Sequence, residues 1–178
     1  MNQKRWFRIV ILLIFLVMSG YTLWNHFYHD QVSVTGIPKI GDPAPDFELY
    51  NLENQKIKLS GYSGKVVVLN FWGHWCEPCQ QEMPTFEKVW NKFKDKGLVI
   101  IGVHLGQEAV TVKHFVDQYG ITFPIVYDTS DLQTAHAYGI DPIPDTYIIK
   151  PDGTIADFRI GGPIDPDWLA STIQNNLP

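Results

Sequence analysis

The sequence is poor in cysteine: 178 residues contain two, Cys76 and Cys79. A pair that close cannot staple distant parts of a fold, so a disulfide scaffold is excluded and the use of the pair is local. A second Cys-x-x-Cys is also missing. Zinc asks for four ligands, or three and a water, and only His74 and His104 stand as helpers, so no metal is assigned. No glycine-rich phosphate loop, nucleotide motif, internal repeat or low-complexity run occurs, and no cofactor is implied. Positive charge is not in excess either. Lys4, Arg5 and Arg8 against Asp30 fall in residues 1–30, leaving 11 basic and 18 acidic residues, net −7, in the remainder. That balance argues against nucleic acid as a partner. Apolar residues are plentiful, 45% of the chain with 13% aromatic. This is enough for a core without staples, and the length fits one domain plus an appendage.

Both cysteines sit in Phe71-Trp72-Gly73-His74-Trp75-Cys76-Glu77-Pro78-Cys79. The apolar run Val66–Trp72 before them predicts a buried strand, and the stretch from Pro78 to Lys96 predicts a helix. A thiolate, not a thiol, attacks a disulfide. At the start of a helix, unpaired N–H groups and the positive end of the dipole stabilise a thiolate on Cys76. Two intervening residues return Cys79 to Cys76 across the first turn, where Pro78 fits because its missing N–H has no helical partner to lose. Cys76 is therefore assigned as the exposed attacking thiol and Cys79 as the buried resolving thiol. Redox chemistry is favoured over half a metal site or an inert structural disulfide.

Residues 1–29 are read as a cytoplasmic N-terminus and transmembrane anchor, 30–40 as a tether and 41–178 as the domain. Ile9 to Trp24 is almost wholly apolar, and Trp6 to Trp24 reaches the roughly 20 residues a bilayer-spanning helix needs. Lys4, Arg5 and Arg8 place the N-terminus inside, and Trp6, Trp24 and Tyr28 suit the interfaces. The small-residue pattern of a cleavage site is poor around Met18–Thr22, so an uncleaved anchor is favoured over a cleaved signal. Either reading puts the domain outside the cytoplasm.

Within the domain, Phe47–Tyr50 and Lys56–Leu59 alternate as a β-hairpin. Met83, Phe86, Val89, Trp90 and Phe93 mark the buried face of the helix after the cysteines. Pro84 inside that helix should kink it. Leu98–Leu105 reads as a strand parallel to the first. A helix over 109–119 turns Val112, Phe115, Val116 and Tyr119 inward. Phe123–Tyr127 is a short strand that Pro124 suggests is an edge. A short helix over 132–138, a strand over 146–149, a turn at Pro151–Thr154 and a returning strand over 155–160 follow. Asp165 caps a last helix with Pro166 at its first position.

Three stretches together resemble the TlpA/ResA branch of the thioredoxin superfamily: the Phe71–Cys79 segment, Gly41-Asp-Pro-Ala-Pro-Asp-Phe upstream, and Ile143-Pro144-Asp145-Thr146-Tyr147 downstream. The resemblance covers about residues 38–178. It implies a thioredoxin-like α/β fold: a central mixed β-sheet flanked by helices, with the N-terminal β-hairpin and a helix–strand insertion over 106–128. It implies thiol–disulfide exchange outside the membrane, by a redox-active Cys76–Cys79 pair that reduces protein disulfides. The haem-binding cysteine pair of apocytochrome c is the best-known substrate of the branch. A membrane thiol carrier of the CcdA/DsbD type is the electron donor. Pro144 matches the cis-proline that faces the cysteines, with Ile143 before it, and its main chain would pair with substrate. Pro142 is taken as an ordinary loop proline. Glu82 matches a family glutamate that exchanges a proton, against a plain reading as a solvated helix acid. Asn70 stands where cytoplasmic thioredoxins often carry a buried acid. Glu77 tunes the potential and raises the Cys76 pKa modestly, Trp72 packs, and Trp75 forms an exposed rim. Two positions depart from the pattern. His74 replaces Thr, Ser or Glu and, if cationic, favours the thiolate. Asp145 replaces the usual Thr and is similar to the Glu of the CcmG branch; beside Cys76 it should raise the thiol pKa. His104 and Phe71 are read as sheet residues with no direct role.

The alternatives are an oxidant or isomerase of the same fold, and a metal or haem chaperone using the cysteine pair. A peroxidase is a third, since the Gly41–Phe47 segment also opens peroxiredoxins, although those lack this Cys-x-x-Cys.

Overall fold

The computed structural model describes residues 3–29 and 37–178. They fall into two compact units, residues 3–29 and 37–178, each described by itself. In the first, Gln3–His29 is one helix, α1, with Ile11 to Met18 exposed. The side chains of Lys4, Arg5, Arg8, Trp24 and Tyr28, and residues 30–36 of the expected tether, lie outside the described residues. Among the described residues, which omit side chains at both ends of α1, no helix is long and apolar enough to cross a membrane.

The second unit is built on seven strands: β1 Glu48–Asn51, β2 Lys56–Lys58, β3 Val66–Trp72, β4 Leu98–His104, β5 Ile125–Tyr127, β6 Asp145–Ile149 and β7 Ile155–Ile160. They form one mixed sheet in the order β2-β1-β5-β4-β3-β6-β7. β3, β4 and β5 run parallel, as the helical crossovers between them require. β6 lies antiparallel to β3, and the β1–β2 hairpin closes antiparallel onto β5. β5 is therefore not an edge. Pro124 stands just before it, and its carbonyl, which proline retains, accepts the Gly102 N–H at 2.9 Å.

β3 and β4 are buried along their whole length because both faces are covered. Val66, Val68 and Trp72 pack with Met83, Phe86 and Phe93 of α2 (Glu77–Phe93), with Phe115 of α3 (Ala109–Tyr119) and with Leu169 and Ile173 of α5 (Pro166–Asn176). Val67, Leu69 and Phe71 pack on the other face with Phe47, Leu59 and Tyr138, the last from α4 (Gln133–Tyr138). Tyr119 is not inward. It is exposed and stacks its ring on Phe115, centroids 4.2 Å apart. Asp165 caps α5, accepting the Asp167 and Trp168 N–H groups. Past α2 a turn of 3-10 helix leads to Gly97, whose φ of 95° lets the chain reverse into β4.

Candidate active site

Strand β3 ends at Trp72, and residues 73–76 form the turn into α2, with the Cys76 N–H donating to the Gly73 carbonyl at 3.1 Å. Gly73 leaves room there for two neighbouring side chains. A Cβ would stand 2.8 Å from the Trp75 ring and 3.2 Å from Ile143 Cδ1. Cys76 is the N-cap of α2, and Pro78 lies in its first turn. The Cys79 backbone N–H donates to Cys76 Sγ at 3.3 Å. This is a charge-favouring donor aimed at the atom that must become a thiolate. Cys76 and Cys79 are joined as a disulfide, Cα atoms 5.2 Å apart. Cys76 is partly exposed and Cys79 fully buried, which fits the attacking and resolving roles in that order.

The opposite wall comes from the segment before β6. The Ile143–Pro144 peptide is cis, and the Ile143 carbonyl oxygen stands 4.0 Å from Cys76 Sγ. Among the described residues, Asp141–Pro142 and Gly162–Pro163 are cis as well. Trp75 is 56% exposed beside the cysteines, and Glu77 and Pro78 are exposed in the first turn of α2. Trp72 is buried.

Glu82 is 2% exposed, which removes the reading as a solvated helix acid. It lies against the loop after β7: a Cβ on Gly162 would stand 2.6 Å from Glu82 Oε1 and 2.8 Å from Pro144 Cγ. Neither carboxylate oxygen has a hydrogen-bond partner. Burial therefore pushes the Glu82 pKa up to about 7; the Ile164 N–H, short of full hydrogen-bond geometry, pulls it down and the charge of Asp145 pushes it up. A carboxyl with such a pKa is chemically able to exchange a proton near neutrality. On α2, three residues from Cys79, its Cβ is about 5–6 Å from that of the resolving cysteine. Asn70, on the same face of the sheet as Val68 and Trp72, donates to Thr146 Oγ1 at 3.2 Å.

Asp145 differs from expectation. It is buried, and its carboxylate accepts the Gly161 N–H at 2.9 Å; its hydrogen-bonded partner is not a group of the 73–76 turn. The alternation along β6 puts it with Tyr147 on the face opposite Thr146. Its own pKa is raised by burial, partly offset by Gly161. Its electrostatic reach is to Glu82 and Tyr147.

His104 also differs. It is buried in β4, yet its ring reaches the active-site turn: Nε2 is 3.1 Å from His74 Nδ1 and 3.4 Å from the His74 backbone N. Its Nδ1 stands 3.0 Å from the Gly106 carbonyl, which can only accept, so Nδ1 carries the hydrogen. Burial, with the charge of His74, lowers the His104 pKa against the Gly106 contact and the charge of Glu108. The His74 backbone N–H donates to Nε2, which is therefore the acceptor. Gln80 and Tyr119 complete the turn. Gln80 Nε2 donates to the His74 carbonyl at 2.8 Å, and Tyr119 Oη donates to Gln80 Oε1 at 3.1 Å. Neither carried a sequence signal beyond helical spacing.

A Cys-x-x-Cys disulfide at the start of the helix that follows the central strand, faced by the carbonyl before a cis-proline, defines a thioredoxin-like thiol–disulfide oxidoreductase. Comparison with known proteins agrees. The AhpC/TSA family matches residues 40–158. The thiol-disulfide oxidoreductase ResA of Geobacillus thermodenitrificans is 39% identical over 160 residues, covering 90% of this chain and 89% of that protein. The ResA of Bacillus subtilis is 38% identical over 163 residues, covering 90% and 88%. The solved thioredoxin domain of a Bacteroides vulgatus thiol-disulfide oxidoreductase superposes with a TM-score of 0.71 at 26% identity, covering 79% of this chain and 99% of that one. The chain belongs to the AhpC/TSA family, as a ResA-like thiol–disulfide oxidoreductase.

Proposed function

We propose that this chain is a membrane-anchored reductant of protein disulfides, working outside the cytoplasm on the haem-binding cysteine pair of apocytochrome c. The observation that carries the exchange chemistry is the asymmetry of the pair: Cys76 half-open beneath the Ile143 carbonyl, Cys79 buried one turn from a carboxyl whose pKa burial pushes up to about 7. The reductant direction rests on the branch that the motifs resemble. The Cys76 thiolate attacks one sulfur of the substrate disulfide and the other leaves as a thiolate. Glu82 takes the proton of the Cys79 thiol. Cys79 then attacks Cys76 Sγ, releasing the second substrate thiolate. The substrate gains two electrons and the protein ends as the Cys76–Cys79 disulfide. A membrane thiol carrier of the CcdA/DsbD type returns the electrons. The extracytoplasmic setting rests on the apolar run Ile9–Trp24 and the basic residues before it. The substrate and donor rest on the branch that the motifs resemble.

Trapping tests the reading. A Cys79→Ala variant expressed in the native cell should accumulate mixed disulfides through Cys76, with an apocytochrome c among the captured proteins. Capture by Cys76→Ala instead reverses the roles of the cysteines. A reduction potential near about −120 mV, that of a strong oxidant, overturns the reductant direction; one near or below about −270 mV agrees with it.

A further inference from the structure

The thiol chemistry leaves one cluster without a task. His74, His104 and Glu108 each offer a ligand atom, and these atoms lie within 4.8 Å of one another. We infer that His74 Nδ1, His104 Nε2 and a Glu108 carboxylate oxygen form an open three-ligand site for a borderline divalent metal ion of the zinc kind, beside the redox pair and separate from it.

The two imidazoles already have the spacing. Zn–N bonds of about 2.0–2.1 Å in a tetrahedral site put two ligand nitrogens roughly 3.3 Å apart. His74 Nδ1 and His104 Nε2 are 3.1 Å apart, with the rings inclined by 16°. The His104 tautomer is the one a metal needs. Its Nδ1–H is held by the Gly106 carbonyl, leaving the Nε2 lone pair directed at His74. Holding the distal N–H of a ligating histidine on a carbonyl is the usual outer-shell arrangement. Aromatic rings fix the His104 plane from three sides: Trp72, Trp75 and Tyr127 at 5.0, 5.4 and 6.1 Å. The turn carrying His74 is held by Gln80.

Glu108 supplies the anionic ligand. It is exposed, stands just before α3, and folds back over Gly106, where a Cβ would be 2.7 Å from Glu108 Oε2. Its carboxylate lies within 4.8 Å of both nitrogens, and its exposed side chain is free to turn toward them on binding. On metal binding the hydrogen that His74 Nδ1 shares with His104 Nε2 moves to His74 Nε2, so both rings remain neutral. Two imidazoles and one carboxylate leave a coordination position open to water. Imidazole with carboxylate selects zinc, copper, iron or nickel rather than calcium or magnesium.

The full-length oxidised protein, without an affinity tag, separates this site from thiolate binding, because no thiol is then free. Zinc titrated in competition with a chromogenic chelator should occupy one site per chain. Cobalt should give the visible d–d bands of a low-symmetry site without sulfur charge transfer. His74→Ala and Glu108→Gln should each weaken zinc by about tenfold or more. A variant lacking the exposed His114 and His136 should bind as the wild type does. Absence of stoichiometric zinc on the oxidised protein overturns the site. So does binding that survives His74→Ala, or that disappears with His114 and His136.

Discussion

The Cys79 backbone N–H donates to Cys76 Sγ at 3.3 Å, across the first turn of α2. This donor stays in place when the disulfide opens, because it belongs to the helix backbone. The Cys76 thiol should therefore titrate below the ordinary value of about 8.5. Thiolate absorbance of the reduced protein, followed against pH, checks this. Glu77 lies in the same turn and opposes the anion, so Glu77→Gln should lower the Cys76 pKa further, by less than about one unit. A titration that Glu77→Gln leaves in place would show that solvent screens the pair.

Gly162 is wedged between Glu82 and the Pro144 ring. Its substitution by alanine adds a methyl 2.8 Å from a ring that the backbone holds rigid. Gly162→Ala should cost roughly 1–3 kcal/mol in urea unfolding, the ordinary range for overpacking. It should also slow disulfide reduction, because Pro144 is displaced from the cysteines. A variant of unchanged stability and rate would mean that the loop after β7 yields freely.

Strong local signals made much of this legible. The apolar runs Val66–Trp72 and Leu98–Leu105 became the two central strands, the first with its expected limits and the second one residue shorter, ending at His104. Asp165-Pro166 announced the last helix. Pro124 misled because the N–H it lacks lies outside the strand that pairs, which begins one residue later. The side-chain partners of the site were less visible. Nothing local to His104 says that its ring points at His74, thirty residues earlier; the parallel register of β3 and β4 decides it. Nor does the Ile143–Thr146 motif say that Asp145 would bond to Gly161 on a later loop. Burial of Glu82 likewise depends on Gly162 and Ile164, far along the chain.

The proposed anchor has its own test. With an uncleaved helix at residues 1–29, the whole chain should remain in the membrane fraction through alkaline carbonate extraction. Its mass should include Met1 or Asn2. Alkaline phosphatase fused after Pro178 should be active, as only an extracytoplasmic C-terminus allows. A soluble mature form that begins after residue 20 would show a cleaved signal instead.

Glu82 couples stability to pH. Its folded pKa is about 7 against an ordinary 4.5, so between these values the folded state binds more protons than the unfolded one. The stabilisation is complete below about pH 4.5 and is lost as pH rises through 7. Glu82→Gln keeps the shape and removes the charge. The oxidised variant should be more stable than the wild type at pH 8, by on the order of 1–3 kcal/mol, and the two should converge near pH 4.5. The same substitution removes the acceptor for the Cys79 proton. It should slow resolution of the mixed disulfide by about tenfold or more while leaving the first attack by Cys76 fast. Rapid-quench measurement of the mixed disulfide separates the two steps. Equal slowing of both would place Glu82 in the packing of the site and not in its proton transfer.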